Sequence, residues 1–228
     1  MRQNILLTNG KQTGKETCFV GGKPIFPADM GIPQCSLCGA EQTFFFQIAF
    51  SEPLVWAGLT LAVFQCTSCA NENHLIPEML SGELLNADIP PDFLIKYQRN
   101  FRFEIFETTQ GQMVENYKER IKFSPISLEE NDPMLSIGHI GTSPNWILSD
   151  ETPRIYHSKY PMRFLLQLDG GINFETVNGA PKQMEIGLTG NTEPSPFDFY
   201  QLFLGNTTYF FGTVGHNPNL VYAITQVT

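Results

Sequence analysis

The sequence predicts an α+β fold rich in β-strands, with two structurally similar halves and a zinc-ribbon-like hairpin inserted in the first half. Three observations support this prediction. The 228-residue chain is 42% apolar, contains nineteen Phe and is only 16% charged, and aromatic residues favour strands over charged helical bundles. Two C-x-x-C pairs flank a segment with the pattern of strand, turn and strand. Finally, part of the first half resembles part of the second.

The first pair is Cys35-Ser-Leu-Cys38 and the second is Cys66-Thr-Ser-Cys69. Two such pairs, brought together by a hairpin, are typical of a tetrahedral four-cysteine zinc site. Four thiolates complete the coordination sphere and leave no position for water or substrate. The pattern therefore predicts a structural metal site without catalytic chemistry.

Other interpretations of the cysteines stay open from sequence. Disulfides require an oxidising compartment, but the start of the chain, Met1–Leu7, has no apolar run typical of a signal peptide, so we expect reduced thiols in the cytoplasm. His74 follows the second pair closely and is an alternative fourth ligand. Cys18 has no neighbouring histidine or carboxylate in sequence, and we expect a buried core thiol.

The similarity between the halves appears at a constant offset of 120 residues, without a gap. The aligned pairs are Gly21 and Gly141, Pro24 and Pro144, Phe26 and Trp146, Phe44 and Phe164, Gln47 and Gln167, and Ile48 and Leu168. This agreement predicts two copies of one β unit. The two glutamines are expected to be buried and hydrogen-bonded to backbone, with substrate binding as the alternative. Ile155 and Ser158 replace Cys35 and Cys38, so the second copy is expected to lack the metal.

Along the first half, residues 1–16 are expected to form a loose arm or an edge strand. The two cysteine pairs are joined by a hairpin within 35–69, whose second strand is Leu59–Cys66. Prolines at 77, 90 and 91 limit the following segment to brief helical turns. Phe101–Glu107 alternates like a strand, with Arg120–Ser124 as its return. The acidic segment Ser127–Asp132 is the predicted junction, which gives halves of 1–132 and 133–228 within one globular unit.

In the second half, turns are predicted at Asp169–Gly171 and Val177–Gly179, and a loop over residues 187–198. Residues 199–214 are predicted to form an aromatic hairpin with its turn at Gly205–Asn206. Residues 220–227 are a predicted closing strand.

The net charge is −9 and the isoelectric point is near 4.9. An acidic surface repels the phosphates of nucleic acids and the anionic lipids of membranes. No segment approaches the roughly 20 apolar residues needed to cross a bilayer. The composition therefore favours a cytoplasmic protein whose partner is another protein, with neither nucleic acid nor membrane as a partner.

The motifs also resemble a known superfamily. The residues G-G-x-P before P-x-C-x-x-C-G, then F-x-x-Q-[IL] and V-F-x-C-x-x-C, resemble the programmed cell death protein 2 family. The second copy, with Gly141, Pro144 and Trp146 before Phe164–Asp169, is similar to the YwqG-like bacterial family. The resemblance covers about residues 18–70 and 138–212. The resemblance implies a two-copy β-rich fold and places the chain as a bacterial-type member with a four-cysteine zinc hairpin. From the eukaryotic members, it also implies binding to a nascent ribosomal protein as a dedicated chaperone. An acidic surface suits a basic client.

From these observations we expect a zinc-stabilised protein-interaction module, chaperone-like or regulatory, with no catalytic activity of its own. The alternative is an enzyme of unknown reaction with a site between the two halves. Its candidate residues are scattered without a recognisable spacing: His139, His157, Asp169, Glu175 and His216.

Overall fold

The computed structural model describes residues 2–130 and 133–227. The described chain is rich in strands and contains one short α-helix, as the composition predicts. The elements are β1 Arg2–Leu7, β2 Phe19–Val20, β3 Ile25–Phe26, β4 Thr43–Ala49, β5 Leu59–Gln65, β6 Asp88–Ile89, α1 Phe93–Lys96, β7 Phe101–Glu107, β8 Gln112–Met113, β9 Ser124–Glu129, β10 Gly138–Gly141, β11 Ile155–Tyr156, β12 Tyr160–Leu168, β13 Phe174–Glu175, β14 Met184–Ile186, β15 Thr192–Pro194, β16 Phe199–Tyr200, β17 Thr207–Thr213 and β18 Val221–Gln226.

One large sheet dominates the structure. Its strand order is β18-β17-β12-β10-β1-β9-β2-β4-β5-β7, with β11 and β6 attached beside β12. From the centre outwards, β2, β4, β5 and β7 follow one another on one side, and β10, β12, β17 and β18 on the other. The ten strands of this order pair antiparallel. The sheet thus runs without interruption through both predicted halves.

The N-terminal segment Arg2–Leu7 corrects the prediction of a loose arm or an edge strand. It forms β1 in the middle of the sheet, where it pairs with β10 on one side and β9 on the other. Ile5 is fully buried. Both partners are more than a hundred residues away in sequence, so no local pattern could have indicated that both edges of β1 are filled.

The predicted hairpin between the cysteine pairs is present, because β4 and β5 pair antiparallel across a loop of residues 50–58. We expected an insertion that projects from the first half, but β2 and β7 flank the hairpin within the sheet. Its strands are almost entirely buried, since they carry apolar residues on both faces.

The sheet folds over so that its two sides pack against each other. Phe210 of β17 contacts Phe46 of β4 and Phe103 of β7, with ring centroids 6.1 and 5.6 Å apart. The interior between the two sides holds most of the buried apolar residues. A second cluster around Phe19, Phe26, Phe44 and Phe64 covers the opposite face of β4 and β5. Both faces of these strands are therefore buried.

The prediction that Arg120–Ser124 returns alongside Phe101–Glu107 is wrong. Ile121 forms an isolated bridge with Thr176, and Ser124 begins β9, which pairs with β1 and β2. The first residues of the predicted junction, Ser127–Glu129, also belong to β9. Asn131 and Asp132 lie outside the described residues, and the boundary at 132 stays a prediction.

The aromatic segment 199–214 differs from the predicted hairpin. Phe199–Tyr200 pairs with β13, a 3-10 turn spans Leu202–Gly205, and β17 then pairs with β12 and β18. Within the predicted loop 187–198, Thr192–Pro194 pairs with Met184–Ile186 to form a small hairpin. The closing strand and the brief helix are confirmed as β18 and the four-residue α1.

The structure also bears on membrane association. Within residues 2–130 and 133–227, no helix has the length and apolar content that crossing a bilayer requires.

Candidate metal centre

The four cysteines come together at one end of β4 and β5. Their sulfur atoms all lie within 4.8 Å of one another. Individual separations are 3.8 Å between Cys35 and Cys69, 3.6 Å between Cys38 and Cys66, and 3.5 Å between Cys66 and Cys69. Sulfurs at about 2.3 Å from a tetrahedral Zn²⁺ are about 3.8 Å apart along each edge. The spacing is that of a tetrahedral thiolate site.

The first knuckle is a tight loop before β4. The N–H of Cys35 donates to Ala40 O at 2.8 Å, and the N–H of Gly39 donates to Cys35 O at 2.8 Å. Gly39 has φ +75°, a left-handed conformation that glycine adopts without steric cost. The turn places Cys35 in the interior and Cys38 at the surface.

The second knuckle follows β5 directly and is tied to the start of β7. Cys66 N–H donates to Asn100 O at 2.6 Å. From the first knuckle, Ser36 donates through its N–H at 2.9 Å and its hydroxyl at 2.6 Å to Arg99 O. Residues 99–100 thus hold both knuckles in position.

Arg120 and Met184, which follow the hairpin in sequence, form hydrogen bonds with the second knuckle. The hydroxyls of Thr43 and Thr67 are 2.7 Å apart, and Arg120 Nη1 donates to them at 3.0 and 3.4 Å. The N–H of Met184 in β14 donates to Thr67 O at 2.9 Å. The site is therefore fixed both by its own hairpin and by a strand from the second half.

Cys35 and Cys66 are shielded from water, Cys69 is partly shielded, and all four thiols are close to one another. Burial and, to a smaller extent, the charge of Cys35 raise the pKa of Cys66 to about 12. Burial also raises the pKa of Cys69, with contributions from Cys38 and Cys66. At the surface, burial opposes ionisation of Cys38, but the Ala40 backbone hydrogen bond and neighbouring thiols outweigh it and lower its pKa. Four thiolates this close require a cation to offset their repulsion.

His74, the alternative ligand, is not a member of this group. It ends a 3-10 turn at Glu72–His74, and its carbonyl accepts a hydrogen bond from Asn100 Nδ2 at 2.7 Å. Across the described residues, the four cysteines are the one group of His, Cys, Asp and Glu side chains close enough to share a metal.

Cys18 lies elsewhere, between β2 and β4. Its sulfur accepts a hydrogen bond from Ala49 N–H at 3.3 Å, and burial raises its pKa. The side chain is partly buried and packs against the main core. The thiol contacts the core as predicted, but the residue is partly and not fully buried.

The side chains of the two aligned glutamines accept hydrogen bonds from backbone N–H groups, as predicted. Gln47 Oε1 accepts from Ile25 N–H at 3.0 Å, and Gln167 Oε1 accepts from Asn145 N–H at 2.8 Å. Both amides are buried. Ile25 and Asn145 are themselves 120 residues apart, so the two contacts follow the same offset.

Within the described chain, no three of the histidines and acids of the alternative enzyme lie close enough to share a metal, although Asp169 lies near enough to His139 for its charge to act on that imidazole. His139 is buried in β10 with its Nε2 at 3.1 Å from Ser143 O. Glu175 forms an exposed ion pair with Lys122 at 2.9 Å. His157 and His216 lie around Tyr156, with ring centroids 6.1 and 5.3 Å away. Asp169 accepts a hydrogen bond from Gln167.

Sequence reasoning missed one cavity. It has a volume of 470 Å³ and lies between the β4–β5 loop and the end of β10, with Arg163 at its rim. Its walls come from segments almost a hundred residues apart, so no local motif marks it. The signal for this cavity in the sequence was Arg163, a charged residue that aligns with Thr43 of the first half.

Comparison with known proteins gives no relative. No family model, curated protein or solved structure matches the chain. The function is therefore argued from the geometry and chemistry of the residues described above.

Proposed function

We propose that the four cysteines bind Zn²⁺ as a structural ion and that the protein is a binding module without catalytic activity of its own. The observation that carries this proposal is the spacing of four thiols at hairpin knuckles: their sulfurs all lie within 4.8 Å of one another, and three of the separations are 3.5–3.8 Å. Four thiolates complete a tetrahedral zinc shell, which leaves no open position for a reactant. Reduced thiols of this kind suit the cytoplasm.

The position of the ion explains why a metal is useful here. The ion joins the segment before β4 to the end of β5, and hydrogen bonds from the two knuckles attach residues 99–100, just before β7. These are three neighbouring strands of the sheet. Structural zinc contributes on the order of 10–16 kcal/mol of folding free energy in zinc-finger peptides. The ion stabilises one end of the sheet and holds the surrounding surface in a fixed shape.

We also infer that the fold is an internal duplication. Support comes from the mirrored strand order and from a register shift at the same aligned place, beside Phe45 in β4 and Leu165 in β12. An aromatic contact is repeated as well: Phe44 with Phe64 in the first copy, and Phe164 with Phe211 in the second. The metal belongs to the first copy alone, because β11 occupies the corresponding place in the second.

The charge of the chain bears on the partner. A net charge of −9 favours a basic protein client over nucleic acid or an anionic membrane. A chaperone-like or regulatory role, as the resemblance to the programmed cell death protein 2 and YwqG-like superfamily implies, fits this charge.

Affinity capture from lysate followed by mass spectrometry tests the binding role. One abundant stoichiometric partner is the expected result. Absence of any partner, together with turnover of a small molecule by the purified chain, would contradict the proposal and support the enzyme alternative.

A further inference from the structure

A smaller cavity lies beside the candidate metal centre, and we call it the knuckle cavity. Its volume is 80 Å³. Sites for cofactors and drug-sized ligands measure about 300 Å³ or more, so this space suits a few waters or the end of one side chain. Cys66 and Cys69 of the second knuckle form one wall, and the hairpin β14–β15 with the segment after it forms the facing wall. The N–H of Met184 fixes this hairpin to Thr67 O at 2.9 Å.

The charges that line the knuckle cavity are negative. Four thiolates outweigh the two positive charges of Zn²⁺, so the loaded metal centre is an anion. Glu185 also lines the cavity, and Glu193 lies directly opposite it in the hairpin, an arrangement of like charges that destabilises a strand pair. Within the residues that the structure describes, neither carboxylate forms an ion pair, and no Lys, Arg or His lines the cavity.

Two cations bind residues of the walls without lining the cavity, and both already have partners. Arg120 Nη1 donates to the hydroxyls of Thr43 and Thr67. Lys182 pairs with Asp198 at 2.5 Å and donates to Phe197 O at 2.8 Å. The negative charge inside the cavity is therefore left for a cation from outside the chain.

Two buried amide side chains of the lining each have one hydrogen-bonding atom left over. Asn100 is 4% exposed, and its Nδ2 donates to His74 O at 2.7 Å, which leaves Oδ1 as an acceptor. Gln65 is 5% exposed, and its Oε1 accepts from Phe203 N–H at 3.1 Å, which leaves Nε2 as a donor. Across residues 2–130 and 133–227, no group bonds to either remaining atom. An occupant with both N–H groups and a carbonyl satisfies both amides.

The rim of the knuckle cavity is apolar. Phe197 is 54% exposed and stacks on Phe199, with ring centroids 4.9 Å apart. Leu204 is 50% exposed and is held at φ +61°, a left-handed conformation that is costly for a leucine. An exposed aromatic face attracts a guanidinium, and an exposed leucine packs against another apolar side chain. The rim thus suits a cation that has an apolar residue beside it.

We propose that the knuckle cavity binds an arginine side chain from a segment of a partner protein in which an apolar residue adjoins the arginine. The guanidinium donates to Asn100 Oδ1 and to Glu185 beside the anionic metal centre, and a backbone carbonyl of the segment accepts from Gln65 Nε2. The apolar neighbour contacts Phe197 and Leu204. Arginine fits this site better than lysine because its planar fork offers several N–H donors and stacks on aromatic rings.

The inference deepens the binding function proposed above and rests on it, because zinc supplies part of the charge and the partner is a basic protein. The test titrates two synthetic peptides with blocked ends into the full zinc-loaded chain, labelled with nitrogen-15 and followed by NMR. Both have the core Ser-Leu-X-Leu-Ser, where X is arginine in one and citrulline, its neutral isostere, in the other. The side-chain amide signals of Gln65 and Asn100 should shift, and the arginine peptide should bind about fivefold or more tightly.

Two variants, each with a matched control, locate the peptide. Glu185→Gln should weaken the arginine peptide alone, whereas Glu83→Gln, at an exposed carboxylate outside the cavity, should change neither affinity. Phe197→Ser should weaken both peptides, and Leu188→Ser, at a fully exposed leucine outside the cavity, should weaken neither. Because none of the four side chains is buried, the variants should keep the zinc content and unfolding temperature of the parent.

Two outcomes overturn the inference: Gln65 and Asn100 amide signals that do not move, or equal affinities of the arginine and citrulline peptides. If the chain contains zinc and a stoichiometric partner is captured from lysate, either outcome removes only this surface, and the binding function survives. If the chain contains no zinc and captures no partner, the proposed function itself fails. Metal analysis and capture therefore separate the two failures.

Discussion

At the scale of single residues, the chemistry of the thiols decides how the four-cysteine site behaves. Cys66 is buried, and burial raises its pKa to about 12. A buried thiol of this kind is protonated without a cation, so metal binding and deprotonation occur together. The four cysteines act as one unit, and loss of one leaves three sulfurs that cannot complete the shell.

We expect Cys66→Ser to release the metal and to lower the unfolding free energy by about 3 kcal/mol or more, which is a fall of roughly 6–12 °C for a chain of this size. Differential scanning calorimetry and metal analysis measure both effects. Ser158→Ala is the control. Ser158 aligns with Cys38 in the metal-free half, and its replacement removes one exposed hydrogen bond to Asp88. An equal fall in both variants would contradict a metal role for Cys66.

A second residue-scale prediction concerns His139. Burial lowers its pKa below the usual value near 6.5, and the charge of Arg2 lowers it further. The unfolded chain then binds a proton that the folded chain does not, so stability is present above about pH 6.5 and is lost as pH falls through the lowered pKa. His139→Phe, which copies Phe19 in the aligned copy, should flatten this part of the stability profile.

Urea unfolding at pH 7 and pH 5 measures how the unfolding free energy of each variant changes with pH. His157→Phe, at a histidine that the structure leaves exposed, is the matched control and should keep the parent slope. A parent-like slope in His139→Phe would show that other groups cause the acid sensitivity.

At the scale of elements, the loop between β4 and β5 connects the two sides of the sheet. Trp56 Nε1 donates to Thr213 O at 3.0 Å, and its ring covers Gly212. A Cβ at Gly212 would lie 2.4 Å from Trp56 Cζ2, closer than any packing allows. The loop therefore depends on a glycine in β17.

We expect Gly212→Ala to destabilise the protein by about 1–3 kcal/mol through overpacking. Gly31→Ala is the control, because a Cβ there meets no atom within 4 Å. Thermal unfolding followed by Trp fluorescence compares the two. A Gly212→Ala variant as stable as Gly31→Ala would mean that the contact between Trp56 and β17 is not tight in solution.

Elements whose signals are local were predicted well from sequence. The cysteine spacing located the knuckles, alternation located β7, and the shared offset located Gln47 and Gln167 on equivalent backbone contacts. Most errors concern pairing between distant segments: β1 at the sheet centre, β9 in place of a return strand, and the hairpin within the sheet. Such pairing depends on residues that are distant in sequence, so a window of neighbouring residues does not predict it. One error is local, because residues 199–214 do not form the predicted aromatic hairpin and Phe199–Tyr200 pairs with β13 instead.

At the scale of the whole molecule, the two halves are interlocked. β1 of the first half pairs with β10 of the second, whereas β9, also in the first half, pairs with β2. The second half therefore completes its sheet with a strand of the first. This pairing explains why one core extends through both.

We expect residues 133–228, expressed alone, to lack cooperative unfolding, because β10 loses its partner β1 and the interior loses Phe46 and Phe103. Adding residues 1–132 in trans should restore a folded complex, which circular dichroism and gel filtration can follow. A cooperatively folded, monomeric 133–228 fragment would contradict the interlocked arrangement.

Metal analysis of the purified full chain, combined with thermal unfolding before and after treatment with a strong chelator, tests whether the four cysteines hold a structural zinc. We expect one zinc per chain and a large fall in the unfolding temperature once the zinc is removed, reversed by added Zn²⁺. A chain that contains no zinc and unfolds at the same temperature with and without chelator would show that the cysteines hold no structural metal.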